Sequence, residues 1–359
     1  MKIVLGLIKN SLLFIMITVN KNSKIYVHCP AGIVTGGAEL LHQLVSILRD
    51  NGCDAYIVYY GTNTHEIPSE YSCYSLRISE DILDSCNSIE VFNECCFDLA
   101  FQRKRTQKVL WWLSVDHFYL CCQDEIKIRD LYHFSPGLAK HQLLHRIKNL
   151  FLGKNIFKSS LSIKQLLSLN AVHCYQSEYA QYFLQENGFK EILALKDFIN
   201  TDYLGQFSID SRKDIVLYNP KKGFDFTKKL IALAPEINWV PIQNMTRSQL
   251  IDLLKVAKVY IDFGCHPGKD RLPRECAMNG LCIITGMRGS AGFFEDVTLP
   301  SKYKFDEKTE SKESIITTIK ETLMNYNTAV GDFALYRSLI CQEKDDFEKQ
   351  VKNLFNCRS

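Results

Sequence analysis

Residues 258–285, KVYIDFGCHPGKDRLPRECAMNGLCIIT, constrain the fold more than any other stretch: an apolar run of strand length, a loop dense in glycine and cations, a short helix and a second apolar run. Strand, Gly-rich turn, helix, strand is the βαβ unit, which demands a parallel sheet with both faces covered. In such sheets ligands sit beyond the carboxyl ends of the strands. Gly264, Gly268, Lys269 and Arg271 are therefore expected where an anion would bind. Pro273 signals the start of the helix, which ends near Gly280, and so puts Glu275 in the first turn. A carboxylate there can accept two hydroxyl hydrogen bonds while cations hold a diphosphate, the requirement of a nucleotide sugar. A Glu at a helix start also suits the helix dipole with no ligand at all.

The same alternation recurs along the chain. KIYVHCP reads as a buried strand, AGIVTGG as a Gly-rich turn, and AELLHQLVSILRDNG as a helix, with Leu40, Leu41, Leu44, Val45 and Leu48 on one face and Gly52 as its stop. DAYIVYYG is the next strand, and further strands are expected at 88–92, 109–115 and 171–177, with a helix at 178–188. A second α/β series begins at RKDIVLYNPKKG and runs through a helix at 227–234, the strand NWVPI and a helix at 247–257. Residues 310–325 and 332–355 are amphipathic and helical. The fold class is α/β, with two Rossmann-like domains facing across a cleft and C-terminal helices. The expected divisions are a lead segment over 1–23, a first domain over 24–205, a second over 206–325 and a C-terminal helix over 326–359.

A length of 359 residues supports two full cores. The net charge of +3 is too small to argue for nucleic acid, and no basic tail or zinc-finger spacing is present. The 14 cysteines include the vicinal pairs Cys95-Cys96 and Cys121-Cys122 but no CxxC pair, and several fall in apolar runs. Reduced thiols and a cytoplasmic location are expected. In the lead segment the most apolar part, residues 12–19, is much shorter than the roughly 20 residues of a spanning helix, and NKNSK follows it in place of a small-residue cleavage site. An interfacial or flexible segment is the reading, with a membrane anchor or a signal peptide as alternatives.

Between Asp130 and Glu178 no acidic residue occurs. Lys140, Arg146, Lys148, Lys154, Lys158 and Lys164 are interleaved there with Leu143, Leu144, Ile147, Leu150, Phe151, Leu152, Ile156 and Phe157. This basic insertion, near 133–170, suits an anionic membrane surface on the inner face of the cell membrane; a helical insertion with buried apolar residues and solvated lysines is the alternative.

In order along the chain, TGGAELLHQL, WWLSVDHF, YNPKKG and FGCHPGKDRLPRE resemble the GT-B glycosyltransferases, particularly the family-4-like enzymes of bacterial surface (capsular or O-antigen) polysaccharide synthesis. The resemblance covers most of the chain from Lys24 onward. It implies a nucleotide-diphosphate sugar as donor substrate, a glycan or lipid-linked acceptor, a hexosyl transfer with retention, no bound metal and no other cofactor. It implies donor contacts from Lys221, Lys222 and Gly223, from Asn244 and Met245 in the nucleobase loop PIQNM, from Gly268, and from Glu275 as the ribose ligand. Ser290, in GMRGSAG, could supply backbone N–H groups, as could Gly36 and Gly37 at a helix N-terminus. Lys269 and Arg271 would stabilise the departing diphosphate, His117 would touch the acceptor or the donor sugar, and Asp116 is the candidate base for an inverting transfer. One departure stands out: the position eight before Glu275 is Pro267, where the family has its first Glu. A sugar-nucleotide epimerase on the same fold and a catalytically silent subunit of a polysaccharide-synthesis complex are the rival readings. A nicotinamide dehydrogenase fits worse, because no GxGxxG follows the first strand.

Overall fold

The computed structural model of the chain describes residues 17–61, 66–121, 161–210 and 212–356, with isolated positions between 140 and 151. Residues 1–16 of the lead segment lie outside that description, as do Arg146, Lys154, Lys158, Leu150, Leu152, Ile156 and Phe157 of the basic interval.

The first sheet is parallel and six-stranded, in the order β2-β1-β3-β4-β5-β6. Its strands are β1 (Lys24–Pro30), β2 (Asp54–Tyr60), β3 (Ser88–Asn93), β4 (Gln107–Trp112), β5 (Val172–Tyr175) and β6 (Ile192–Ala194). Alternation along β4 shows why these runs are apolar throughout. Val109 and Trp111 enter a core with helix α1 (Gly36–Asp50), whereas Leu110 and Trp112 enter one on the opposite face with Phe118, Phe183 and Leu184. Val115, expected in this strand, instead opens helix α2 (Val115–Cys121). Helices α3 (Ile163–Ser168) and α4 (Glu178–Glu186) follow, each with a serine N-cap.

The second sheet, also parallel, has five strands in the order β11-β10-β9-β7-β8. They are β7 (Lys213–Tyr218), β8 (Asn238–Pro241), β9 (Ala257–Asp262), β10 (Cys282–Gly286) and β11 (Lys304–Phe305). Helices α5 (Phe224–Leu233), α6 (Arg247–Val256) and α7 (Arg271–Met278) connect them, and α8 (Lys312–Met324), α9 (Tyr326–Ala329) and α10 (Ala334–Phe355) complete the chain. Helix α7 begins at Arg271 with Asp270 as its cap, so Pro273 is already inside it and Glu275 lies in its second turn, not its first.

The passage between cores falls earlier than the sequence division at 205. Leu195 and Phe198 belong to the first core, Ile199 and Tyr203 to the second. Helix α10 then returns: Tyr336 and Ile340 pack in the second core, but Phe347, Val351, Leu354 and Phe355 pack in the first, where Phe347 stacks on Trp111 at 6.0 Å between ring centroids. The end of the lead segment is also built in. Ile17 is buried in the first core, and the backbone of Thr18 exchanges hydrogen bonds with the Gln107 side chain at 2.7 and 2.9 Å. Buried Cys29, Cys96, Cys174, Cys276 and Cys282 act as small apolar side chains.

Candidate active site between the two sheets

After β7 the chain turns through Lys221, Lys222 and Gly223 into α5. Gly223 has φ 61°, and a Cβ on it would lie 2.3 Å from the Phe263 carbonyl oxygen, so only glycine lets this turn rest against the end of β9. The contact carries Lys222 to the β9–α7 loop, where its Nζ lies 2.6 Å from Asp270 Oδ2. Burial works to lower the pKa of this amine, but Asp270 and Asp262 outweigh it and raise it, so the ammonium stays charged. Lys221 is exposed. In the nucleobase loop Asn244 has φ 54° and Met245 is exposed.

The β9–α7 loop meets the first domain edge to edge. A Cβ on Gly268 would lie 2.1 Å from the Leu113 carbonyl oxygen. Val115 N–H donates to the Pro267 carbonyl at 3.2 Å, and Lys269 N–H donates to Gln176 Oε1 at 2.8 Å. Pro267 thus serves a backbone contact between domains at the position where the family it resembles has its first Glu. Ser290, expected to offer its N–H to a donor, turns inward: its N–H donates to the His266 carbonyl at 2.8 Å, its hydroxyl to that of Gly268 at 2.6 Å, and it is fully buried.

Lys269 and Arg271, expected as cations open to a diphosphate, are already paired. Lys269 Nζ lies 2.7 Å from Glu343 Oε1 on α10. Arg271 bridges Glu39 Oε2 at 2.7 Å, Gln43 Oε1 at 2.8 Å and Asp197 Oδ1 at 2.9 Å, all from the first-domain side. Its arm lies over the GG turn, since a Cβ on Gly36 would lie 2.9 Å from Arg271 Cδ; Gly37 is open apart from Leu113. Arg274 joins Asp197 Oδ2 at 2.9 Å to Glu343 Oε2 at 2.6 Å, and Arg247 joins Glu39 to Asp202 at 3.1 Å each. Burial would raise the pKa of Asp197, but the two guanidiniums more than offset it and hold the carboxyl below its ordinary value. Buried charges stay charged only when paired in this way.

Glu275 is the exception in this lattice. It is buried, and among the described residues its carboxylate has no hydrogen-bonding side chain. Burial pushes its pKa up to about 7, against the pull of Arg271 and Arg274. A carboxylate without a side-chain hydrogen bond, set beside cations, is placed to accept from a ligand that brings hydroxyl donors.

On the first-domain side, Asp116 is buried with both oxygens engaged, Oδ1 by the Tyr179 hydroxyl at 3.1 Å and Oδ2 by the Cys265 thiol of the second domain at 2.8 Å. Burial raises its pKa, and it bridges the two domains instead of standing open as a base. His117 is exposed, 3.9 Å from Glu94 Oε1, and feels the charges of Asp116, Lys222 and Asp270 across the cleft. The structure thus brings together His117, Lys222 and the β9–α7 loop. The residues that sequence reasoning missed are Asp197, Arg247, Arg274 and Glu343. Their one signal was charge inside amphipathic or apolar runs, where a buried partner is needed.

No protein-family model matches the sequence, and no curated protein matches it significantly. Solved structures match the fold. HepE of Anabaena, in a complex with UDP-glucose, superposes with TM-score 0.57 and 10% identity over 93% of this chain and 99% of that one. WaaG, a glycosyltransferase involved in lipopolysaccharide biosynthesis, gives TM-score 0.51 and 10% identity over 93% and 98%. TarM gives TM-score 0.51 and 15% identity over 77% of this chain but only 56% of its own, so this chain spans little more than half of TarM's length. With its two parallel sheets and intervening helices, the chain has the two-domain α/β architecture of the GT-B glycosyltransferases.

Proposed function

We propose that the protein is a family-4-like glycosyltransferase of bacterial surface polysaccharide synthesis, moving a hexosyl group from a nucleotide-diphosphate sugar to a glycan or lipid-linked acceptor. The observation that carries this reading is Glu275, whose carboxylate has no side-chain hydrogen bond among the described residues and lies within reach of the charges of the α7 guanidiniums. In it, Glu275 accepts the ribose hydroxyls, Lys221 and Lys222 meet the diphosphate, and the loop of Asn244 and Met245 receives the base. Negative charge grows on the departing diphosphate as the bond from sugar to phosphate breaks, and an ammonium aimed there lowers the barrier. Retention without metal fits the engagement of Asp116, which leaves no open carboxylate at that position to serve as a base.

The second partner in this proposal is an anionic membrane surface, with the protein peripheral on its cytoplasmic face. Support comes from the acid-free interval, in which Leu143, Leu144, Ile147 and Phe151 are exposed beside Lys140 and Lys148. Among the described residues no helix is long and apolar enough to cross a membrane.

Incubating the purified chain with a panel of nucleotide sugars, with and without acceptor lipids and glycans, tests the assignment. Product formed only with acceptor supports a transferase. Rearranged donor would make it an epimerase, and binding without turnover a silent subunit.

A further inference from the structure

His266 is fully enclosed, and neither of its ring nitrogens makes a well-formed hydrogen bond. The ring nonetheless lies between two carboxylates: Nε2 is 3.4 Å from Asp262 Oδ1 and Nδ1 is 3.3 Å from Asp270 Oδ2. Asp262 is fixed from the other side, its Oδ2 by the Tyr260 hydroxyl at 2.8 Å and its Oδ1 by Gly264 N–H at 2.9 Å. Asp270 Oδ2 is shared with Lys222 Nζ at 2.6 Å. Backbone bonds hold the ring in place, since His266 N–H donates to the Arg288 carbonyl at 3.4 Å and the His266 carbonyl accepts from Ser290. A neutral imidazole has one N–H and would turn a lone pair on one of these carboxylates; an imidazolium offers a donor to both.

We propose that His266 is a positioning residue, held as an imidazolium, that takes over Asp270 as its counter-ion when Lys222 leaves Asp270 for the diphosphate of the bound nucleotide. The inference rests on the functional reading above. Without the imidazolium, moving Lys222 to a phosphate would leave Asp270, a half-buried anion, with no cation beside it, which is costly. With it, the swap exchanges one partner for another.

The charged and titratable groups around the ring are Asp262 and Tyr260 on β9, Cys265 on its own loop, Asp270 at the cap of α7, and Lys222 before α5. Beyond them lie Arg288, paired with Glu307 at 2.9 Å, and Asp116 and His117 of α2, which interact with Asp270. Burial and Lys222 oppose protonation of His266, but Asp262 and Asp270 prevail and raise its pKa above the ordinary value. Once a phosphate draws Lys222 away, the imidazolium is favoured further. Binding above the titration of the ring therefore takes up a proton, and affinity falls by up to about tenfold per pH unit. The acid limb has a different origin, since ionisation of Glu275 and of the terminal phosphate both favour binding as pH rises.

The probe is UDP, or GDP or ADP where one of these binds more tightly, titrated calorimetrically between about pH 6 and 9 in buffers of different ionisation heat. The wild-type protein should show proton uptake and an alkaline limb. His266→Gln should bind roughly five- to tenfold more weakly at the acid end and lose the alkaline limb alone. Asp270→Asn, which frees Lys222, should bind at least as tightly as wild type with no alkaline limb. Nitrogen NMR of the wild-type His266 ring should show both nitrogens protonated near neutral pH, a readout that depends on no variant. Flat affinity across the alkaline range, an alkaline limb retained in His266→Gln, a neutral ring at the acid end, or binding abolished by EDTA would overturn the proposal. Failure to bind any nucleoside diphosphate at any pH would overturn the functional reading together with it, whereas pH-flat binding removes this inference alone.

Discussion

At Glu275 function and stability pull in opposite directions. The carboxyl titrates at an ordinary 4.5 in the unfolded chain and at about 7 when buried. Between those values the folded protein keeps a proton that the unfolded chain releases, so stability falls as pH rises through that window and stays lower above it. Glu275→Gln removes the titration. It should raise the melting temperature relative to wild type at about pH 8, with the gain vanishing below about pH 4.5. The same variant should weaken nucleotide binding about ten- to hundredfold, because charge-assisted hydrogen bonds to the ribose contribute roughly 1.5–3 kcal/mol each. Thermal melts at the two pH values and calorimetric titration check both limbs; a variant with equal gain at both pH values would place the carboxylate in water. The place of Glu275 in a helix after a strand and a cation-bearing loop was legible in the sequence, to within one helical turn, because the order of the segment limits where it can lie. The pairing of Arg271 was not, because Asp197 lies 74 residues away and Glu39 lies 232 away. Loop chemistry identifies a cation but not its distant partner.

Helix α7 is the element that joins the domains, since its first turns carry Arg271 and Arg274 and the loop before it carries Gly268 and Lys269. Arg274 is fully enclosed between Asp197 and Glu343, so Arg274→Met would leave two buried carboxylates short of a cation. Removing one partner of a buried ionic pair costs about 3–5 kcal/mol, and urea denaturation should show a loss of that size. A loss below about 1 kcal/mol, the range of exposed pairs, would mean that water reaches the lattice. Gly268→Ala should cost about 1–3 kcal/mol by overpacking, because the obstacle to its Cβ is the Leu113 backbone and not the tip of a flexible side chain. Elements of this kind were legible where periodicity was strong: β1, α1, β7 and the C-terminal helices lie close to where the apolar spacing puts them. The periodicity of α10 told which face is apolar but not which core receives it. That its end returns to Trp111 depends on the packing of the whole chain.

Over the whole molecule, two kinds of electrostatics act and salt tells them apart. The pairs of Arg271 and Arg274 with Asp197, Glu39 and Glu343 are buried and little screened, so the arrangement of the domains should persist as salt rises. Attraction of the acid-free interval to an anionic bilayer is a surface effect that decays over about 8–10 Å at physiological ionic strength. The chain should therefore sediment with vesicles containing anionic lipid and release as salt increases, while its small-angle scattering profile stays constant. Each basic side chain near the surface contributes about 1 kcal/mol, so neutralising Lys140, Lys148 and Lys164 together should weaken vesicle binding on the order of a hundredfold and leave nucleotide affinity unchanged. The exposed Leu143, Leu144, Ile147 and Phe151 supply the apolar part of the contact, and Phe151→Ser should weaken binding without altering its dependence on salt. Vesicle binding indifferent to salt and to these lysines would instead assign the membrane contact to the apolar part of the lead segment that precedes Ile17.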